Sequence, residues 1–290
     1  MDSKITVSRL YNFLKQALSE HFPDANENQI VSRRIVNFLT GCDVSDIVTN
    51  PDKIVNPCAD VNEIVDRVKK SEPLEYIFNS AQFLDLELFT EHSVLIPRPE
   101  TEELALMILN DLKQRDVKPK LLDIGTGSGC IPIYLSTKFK NCDYYACDIS
   151  EKAIATSRKN AEKYGSDINI FYCDILNYQD NTILNSLENF DIIVSNPPYV
   201  LDSEKKLMKQ NVLDYEPHTA LFVRDNDPLI FYRKITEFAA KKLNNGGKLY
   251  FEINEKFGKE TLDLLTEFGF KNCNICKDLF GKDRMSVAEK

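Results

Sequence analysis

Residues 191–199 of the chain are Asp191-Ile192-Ile193-Val194-Ser195-Asn196-Pro197-Pro198-Tyr199. The first part of this stretch is almost continuously apolar, a pattern typical of a strand that is buried on both faces of a sheet. The two prolines lack a backbone N–H and have a fixed φ, so the chain must leave the sheet as a stiff loop. That loop presents an amide side chain and an aromatic ring at the carboxyl end of a strand. Ligands of open α/β sheets bind at this edge.

The chain from residue 119 onward alternates predicted strands with predicted helices, and this order indicates a mainly parallel α/β sheet. Strands are predicted over 120–124, 143–148, 168–173, 191–195 and 248–253, with a final pair over 270–276 and 284–288. Helices are predicted over 130–138, 151–164, 228–243 and 261–268. The stretch that precedes Asn196 is therefore expected to be the fourth strand of one sheet.

Residues 1–72 are predicted to form a small helical domain. Apolar residues recur at three- and four-residue spacing over 7–18, and similar patterns over 30–39 and 64–68 indicate two further helices. No catalytic constellation lies in this part of the chain. We therefore expect it to pack on the main domain or on a partner.

Residues 73–98 are predicted to link the two domains through a β-hairpin. Tyr76-Ile77-Phe78 and the run over 83–89 are short and rich in β-forming residues, which favours two paired strands. The prolines that follow hold the chain extended, and Glu100 or Thr101 is expected to begin a helix with acidic residues in its first turn.

A glycine-rich turn, Gly125-Thr126-Gly127-Ser128-Gly129, follows the first predicted strand and precedes a predicted helix. Glycines let a backbone turn tightly and approach a ligand closely. The turn lacks the third glycine of the dinucleotide fingerprint, because position 130 is Cys, and it lacks a Walker lysine. Asp148 and Asp174 end the next two predicted strands, where one carboxylate can accept both hydroxyls of a ribose. The pattern fits S-adenosylmethionine better than NAD, although Asp174 could instead cap the structure that follows it.

Composition limits the functions that the protein can have. The 290 residues carry 36 basic and 45 acidic side chains, a net charge of −9. Binding to nucleic acid or to an anionic membrane needs positive charge, so neither is expected as the main activity. The amino terminus does not resemble a signal peptide, and no apolar run reaches transmembrane length. The eight cysteines are expected to be reduced thiols in a cytoplasmic protein, and the single CxxC lacks the further ligands of a metal site.

With these motifs in hand, the chain resembles the HemK family of release-factor glutamine methyltransferases over nearly its whole length. Six segments carry the resemblance: 73–77, 95–102, 123–129, 196–199, 215–221 and 278–284. The segment Ile96-Pro97-Arg98-Pro99-Glu100-Thr101-Glu102 and the run that begins Tyr215-Glu216-Pro217 are more specific than the glycine loop. Pro228 and Asn254 depart from the family pattern, which puts local loop geometry in doubt rather than the reaction.

The resemblance implies an α/β protein with a seven-stranded, Rossmann-like class I methyltransferase fold. It implies a helical substrate-recognition domain over 1–72, a β-hairpin linker over 73–98 and the S-adenosylmethionine-dependent domain over 99–290. It further implies transfer of a methyl group to the glutamine amide nitrogen in the Gly-Gly-Gln motif of peptide-chain release factors, a modification that modulates translation termination. A monomer is expected.

The expected chemistry assigns roles to individual residues. An amide nitrogen is a poor nucleophile, so the protein must mainly position it toward the methyl group. The side-chain oxygen of Asn196 and the backbone carbonyl of Pro197 would accept its two N–H groups, and Tyr199 would stack on the amide plane. Pro198 completes the substrate-binding set. The residues expected to bind the cofactor are Gly125, Thr126, Gly127, Ser128, Gly129, Asp148, Asp174, Ile175 and Asn196.

Two other functions remain open at this point. An adenine-amino DNA or RNA methyltransferase also presents a planar NH₂ group to its cofactor, but it needs a phosphate-binding surface to hold a flipped base. A non-catalytic module that binds a translation factor would need neither the intact glycine loop nor Asn196. Labelled S-adenosylmethionine with a release factor or duplex DNA would separate the three.

Overall fold

The structure is a computed structural model and describes residues 4–290. The chain divides into two compact units, residues 1–78 and residues 79–290, each with its own core.

The first unit is helical, as predicted. Its helices are Val7–Ala17, Ala25–Thr40, Val44–Thr49, Val61–Lys69 and Leu74–Phe78. Carboxylates of Asp24, Asp43 and Asp60 cap three of them by accepting backbone N–H groups of the first turn. Ile5–Thr6 also pairs with Ile54–Val55 as a two-residue antiparallel ladder. The sequence pattern did not indicate this pairing.

The predicted strand over Tyr76-Ile77-Phe78 is wrong, because these residues form the end of the helix Leu74–Phe78. The carbonyl of Pro73 accepts the N–H groups of Tyr76 and Ile77 at 3.0 and 3.1 Å, so the proline begins a helical turn. That turn places Leu74 and Ile77 together in the core of the first unit. Packing has therefore overridden the local β preference of these side chains.

The second unit begins with a β-hairpin, but its strands are Ser80–Phe83 and Leu86–Phe89 rather than the predicted 76–78 and 83–89. The run 83–89 is not one strand, because the chain reverses at Leu84, which has a φ of 52°. The side chain of Asn160 bonds both backbone groups of Phe89, accepting from N–H at 2.7 Å and donating to C=O at 2.9 Å. The helix Pro99–Leu112 follows, with Pro99 at its first position and Glu100 and Glu102 in its first turn, as expected.

A seven-stranded sheet forms the centre of the second unit, which confirms the predicted fold class. Its strands are β1 (Lys120–Ile124), β2 (Asp143–Asp148), β3 (Ile168–Tyr172), β4 (Phe190–Ser195), β5 (Leu243–Glu252), β6 (Lys271–Lys277) and β7 (Asp283–Glu289). The strands lie in the order β3-β2-β1-β4-β5-β7-β6. All neighbours are parallel except β7, which runs antiparallel to β5 and β6. The order reverses between β1 and β4, so ligands are expected at that point.

Two hydrophobic clusters cover the two faces of the sheet, and strand residues alternate between them. Ile192 and Val194 of β4 belong to one cluster, and Ile193 belongs to the other. Covering helices are Pro99–Leu112, Cys130–Lys138, Glu151–Lys163, Ile230–Lys242 and Gly258–Glu267, and shorter ones are Thr182–Ser186, Gln210–Tyr215 and His218–Leu221. Within residues 4–290, none of the helices has the length and apolar character needed to cross a bilayer.

Candidate active site

The register of the sheet brings the predicted motifs to one edge. Ser195 at the end of β4 lies opposite Ile124 of β1 and Phe251 of β5, and Ile124 lies opposite Cys147 of β2. The next residue of each strand therefore stands in one row along the carboxyl edge. That row contains Glu252, Asn196, Gly125 and Asp148. The hydroxyl of Ser195 donates to the carbonyl of Ile124 at 2.6 Å and fixes β4 to β1 at this point.

The glycine turn has the left-handed backbone that only glycine adopts easily. Its three glycines have φ values of 77°, 56° and 80°. A Cβ added at Gly125 or Gly127 would meet no atom within 4 Å, so open space lies above the backbone there. A Cβ at Gly129 would lie 2.8 Å from the side chain of Ile133, so this glycine is needed for packing of the following helix. The first two glycines thus leave room for a ligand.

Asp148 is held against the glycine turn. Its carboxylate accepts the N–H of Gly127 at 2.9 Å and the N–H of Ser150 at 2.9 Å. Burial raises the pKa of this carboxyl from its ordinary value, against the opposing effect of these two hydrogen bonds. Each carboxylate oxygen retains a further lone pair, so the group can still accept hydroxyl donors of a ligand.

A second carboxylate, Asp123, is buried beneath the glycine turn with 1% of its surface exposed. Among the described residues, no donor meets hydrogen-bond geometry with either of its oxygens; the nearby hydroxyl of buried Thr126, itself without a partner by the same geometry, only lowers the Asp123 pKa in part against the effect of burial. Burial raises the pKa of Asp123 to about 7. Buried polar groups usually have partners. Unpartnered ones beside an open glycine turn indicate a ligand that supplies donors.

Asp174 and Ile175 follow β3 on the same edge. The carboxylate of Asp174 accepts the N–H of Leu176 at 3.0 Å and the side-chain amide of Asn177 at 2.7 Å. It therefore caps the 3-10 helix Ile175–Asp180, which is the structural alternative considered from the sequence. Ile175 is buried at the start of that helix.

The side chain of Asn196 is oriented by a hydrogen-bonded chain that the sequence did not reveal. Its Nδ2 donates to Oγ1 of Thr101 at 3.1 Å, and Oγ1 of Thr101 donates to Oε2 of Glu252 at 2.6 Å. An ionised carboxylate can only accept, so the threonine proton must point to Glu252. Thr101 then accepts from Asn196, and this fixes which end of the Asn196 amide faces Thr101.

The orientation of Asn196 leaves two acceptors for a ligand. Among residues 4–290, no donor bonds Oδ1 of Asn196 or the backbone carbonyl of Pro197. The two residues are adjacent, so these acceptors lie side by side in the loop that leaves β4. A planar NH₂ group has two N–H donors, and the pair suits such a group.

Tyr199 shares the same buried carboxylate. Its hydroxyl donates to Oε1 of Glu252 at 2.9 Å, and the ring packs against the hydrophobic cluster that contains Phe251 and Tyr232. Burial raises the pKa of the Tyr199 hydroxyl well above its ordinary range. Burial also raises the pKa of Glu252, which is 1% exposed. Glu252 thus links the two polar side chains of the Asn-Pro-Pro-Tyr loop.

The segment that precedes Thr101 is fastened to a distant part of the second unit. Arg98 donates to Oε1 of Glu216 at 2.6 Å, and the N–H of Ile96 donates to Oε2 at 3.3 Å. The Glu216 side chain is almost fully buried. Breaking a buried ion pair costs several kcal/mol, about 3–5 in measured cases. The segments 95–102 and 215–221, which both carried the family resemblance, are therefore joined by this ion pair.

Sequence reasoning placed Thr101 only as a helix start and gave Glu252 no role. Thr101 lies in the specific segment 95–102, so that segment carried a usable signal. Glu252 lies one residue before the end of the predicted strand 248–253, and this position near a strand end was its only signal. Their hydrogen bond joins residues 151 positions apart, which depends on the order of the strands.

Comparison with known proteins gives the class of the second unit. The methyltransferase small domain model matches residues 100–215. A methyltransferase from Pyrococcus furiosus has the same fold, with a TM-score of 0.52 at 20% identity, covering 79% of this chain and 98% of that one. The sheet order and the glycine turn beside Asp148 thus define a Rossmann-like methyltransferase.

Close relatives then give the family. The release factor glutamine methyltransferase of Flavobacterium psychrophilum is 51% identical over 221 residues, 76% of each chain. That of Bacteroides thetaiotaomicron is 39% identical over 286 residues, 98% of this chain and all of the relative. The chain belongs to the release factor glutamine methyltransferase family, which confirms the resemblance seen in the sequence.

Proposed function

We propose that the protein transfers a methyl group from S-adenosylmethionine to the side-chain amide nitrogen of the glutamine in the Gly-Gly-Gln motif of peptide-chain release factors. The observation that carries this proposal is a pair of acceptors, Oδ1 of Asn196 and the carbonyl of Pro197, which no donor of residues 4–290 bonds. The names of the relatives at 51% and 39% identity support the glutamine amide as the substrate.

The residues at the glycine turn fit the proposed cofactor. When bound, S-adenosylmethionine supplies an electrophilic methyl group on a sulfonium. The open space above Gly125 and Gly127 would admit the amino-acid part of the cofactor. Asp148 would accept the ribose hydroxyls. The unpartnered carboxylate of Asp123 would accept from the cofactor's ammonium group, which would remove the cost of burying that charge alone.

The remaining assigned residues complete the cofactor site. Asp174 and Ile175 would border the adenine. The Asp174 carboxylate already caps the 3-10 helix that follows it. We therefore propose that it stabilises the backbone beside the adenine and does not bond the cofactor directly. The backbone of Thr126, Ser128 and Gly129 shapes the turn, and Asn196 stands between the cofactor edge and the substrate.

The chain's own residues then act on the glutamine amide by position and polarity. Its nitrogen lone pair is delocalised, so the two acceptors must hold both N–H groups and direct the nitrogen toward the methyl group at about 3–3.5 Å. The same two oxygens stabilise positive charge that develops on nitrogen, and one of the two N–H protons is released to solvent once the N–C bond has formed. Tyr199 and Pro198 would line the amide plane and exclude water. Thr101 and Glu252 do not touch the substrate in this account, and they act by positioning Asn196 and Tyr199.

All the residues that we assign to the amide site lie within residues 79–290, and this supports a substrate-recognition role, rather than a chemical one, for residues 1–72. It also supports action as a monomer. We further propose that the protein acts in the cytoplasm, where release factors act. Its eight cysteines are free, and five of them are buried, which is consistent with a reducing compartment.

Methyl transfer can be tested with labelled S-adenosylmethionine and three acceptors: a release factor, the same factor with its motif glutamine replaced by alanine, and duplex DNA. Label on the intact factor alone is expected. Label on DNA would favour the adenine-amino alternative, and label on no acceptor would favour a binding module. Equal labelling of the two release factors would place the methyl group on another residue.

A further inference from the structure

The three most exposed large apolar side chains among the described residues are Leu279, Leu207 and Phe280. They are 87%, 83% and 81% exposed, and the next, Val117, is 73% exposed. Single exposed apolar residues are ordinary on protein surfaces. These three are unusual because all of them lie on segments that border the proposed amide site.

Leu279 and Phe280 lie in a turn that is rigidly built. The buried carboxylate of Asp278 accepts the N–H groups of Phe280 and Lys282 at 2.9 Å each, and the N–H of Asp278 donates to the carbonyl of Lys282 at 2.9 Å. Gly281 has a φ of 78°, which allows the chain to reverse. The exposure of the two apolar side chains is therefore set by the backbone of the turn, and binding would need to order only the side chains themselves.

This turn lies at the same edge of the sheet as the site. The carbonyl of Arg284, just after the turn, accepts the N–H of Ile253 at 2.8 Å, next to Glu252. The N–H of Leu279 donates to Oε1 of Glu103 at 3.2 Å, and Glu103 is two residues after Thr101. The turn therefore lies beside the first turns of the helix Pro99–Leu112 and beside the end of β5, the two elements that carry Thr101 and Glu252.

Leu207 ends the 3-10 helix Asp202–Leu207, which follows the Asn-Pro-Pro-Tyr loop. Glu204 of this helix accepts from Nδ2 of Asn254 at 3.1 Å and pairs with Lys256 at 2.5 Å. Asn254 also donates to the carbonyl of Tyr199 at 3.1 Å. Asn254 departs from the family pattern, yet it ties this helix to the substrate loop.

Residues 254–256 also contact the turn that carries Leu279 and Phe280. Lys282 pairs with Glu255 at 3.2 Å, one residue before Lys256. Residues 254–256 thus anchor the Leu207 helix through Glu204 and the residue 278–282 turn through Lys282. The helix that ends at Leu207 and the turn over 278–282 are therefore both bonded to residues 254–256, which also contact Tyr199.

We propose that Leu207, Leu279 and Phe280 form a docking rim for the protein substrate, which grips the polypeptide that flanks the reactive glutamine. This inference rests on the proposed function. A glutamine within a polypeptide reaches the Asn196 acceptors only if its flanking chain crosses the edge that these segments border. Exposed aliphatic and aromatic side chains can bury apolar surface against a polypeptide that crosses this edge, and aromatic residues including Phe are enriched in interfaces.

Steady-state methyl transfer to an intact release factor tests the rim. We expect the double variant Leu279→Ser, Phe280→Ser to raise the KM for the release factor at least tenfold. Its kcat at saturation, its affinity for S-adenosylmethionine and its thermal stability should be unchanged, since neither side chain is buried. Leu207→Ser should change the KM in the same direction.

Val117→Ser is the matched control. This residue is similarly exposed but lies three positions before β1, at the opposite edge of the sheet, and its substitution should leave the KM unchanged. An unchanged KM in the double variant would overturn the docking rim, while activity of the unmodified protein would leave the proposed function standing. A protein without activity on any release factor would overturn both. A dimer that the double variant abolishes, with the KM unchanged, would assign the surface to self-association and overturn the inference.

Discussion

Oγ1 of Thr101 lies 3.1 Å from Nδ2 of Asn196 and 2.6 Å from Oε2 of Glu252, and it is the link between the substrate loop and a buried carboxylate. The two hydrogen bonds point the same way: Asn196 donates to Thr101, and Thr101 donates to the carboxylate of Glu252. The result is that Oδ1 of Asn196, and not its NH₂ group, is offered to the substrate. The proposed chemistry depends on this orientation.

Thr101→Val keeps the shape of the side chain but removes the oxygen, so Nδ2 of Asn196 loses its partner and the amide can rotate. We expect kcat for methyl transfer to fall by about ten- to a hundredfold, somewhat less than the loss when a direct transition-state contact is removed. Affinity for S-adenosylmethionine should stay within a few fold. The measurement is steady-state kinetics together with calorimetry.

Thr101→Ser serves as the matched control, since it retains Oγ and should keep kcat within a few fold of the unmodified protein. Equal activity of the valine and serine variants would show that the Thr101 oxygen does not orient Asn196. A melting curve of each variant separates loss of orientation from loss of folding.

Asp148→Ala should weaken the affinity for S-adenosylmethionine by at least tenfold, about 1.4 kcal/mol. The variant removes the proposed ribose acceptor and also the acceptor for the N–H of Gly127. Asp167→Ala, at the opposite edge of the sheet just before β3, changes the net charge equally and should leave the affinity unaltered. Calorimetry that finds the same affinity for both variants would remove Asp148 from the cofactor site.

Asp123→Asn should make the cofactor-free protein more stable at neutral pH. In the folded protein burial raises the pKa of Asp123 from 3.8 to about 7. Between these values the folded state keeps a proton that the unfolded state has lost, so stability falls as pH rises through this window. The asparagine variant lacks this loss.

The stability difference between Asp123→Asn and the unmodified protein should therefore grow from near zero at pH 4 to on the order of a few kcal/mol above pH 7. Denaturant unfolding across this pH range measures it. A difference that does not change with pH would refute the raised pKa. The same variant should bind S-adenosylmethionine more weakly, because it removes the acceptor proposed for the ammonium group.

Sequence patterns predicted the sheet well because each strand is marked locally. The bounds of β1 and β2 agree with the predicted ranges, since apolar runs and flanking glycine or aspartate define them. The glycine turn was also predictable, because its backbone conformation depends on the residues themselves. Tyr76-Ile77-Phe78 was mispredicted, because its conformation is decided by packing in the helical unit.

The candidate site was predictable only where its residues end strands. Asn196 and Asp148 were found in this way, but the partners that orient Asn196 were not. Thr101 and Glu252 have no shared local pattern, and they meet only because β5 pairs beside β4 and the helix Pro99–Leu112 reaches the same edge. Pairing of this kind is a property of the sheet order rather than of any segment.

The most direct test of the account is the rate of methyl transfer by Asn196→Ala, measured with labelled S-adenosylmethionine and an intact release factor beside calorimetry of the same variant. Methyl transfer should be abolished while affinity for S-adenosylmethionine stays within a few fold, because Asn196 supplies one of the two acceptors for the substrate amide. Near-normal transfer by this variant would contradict the account.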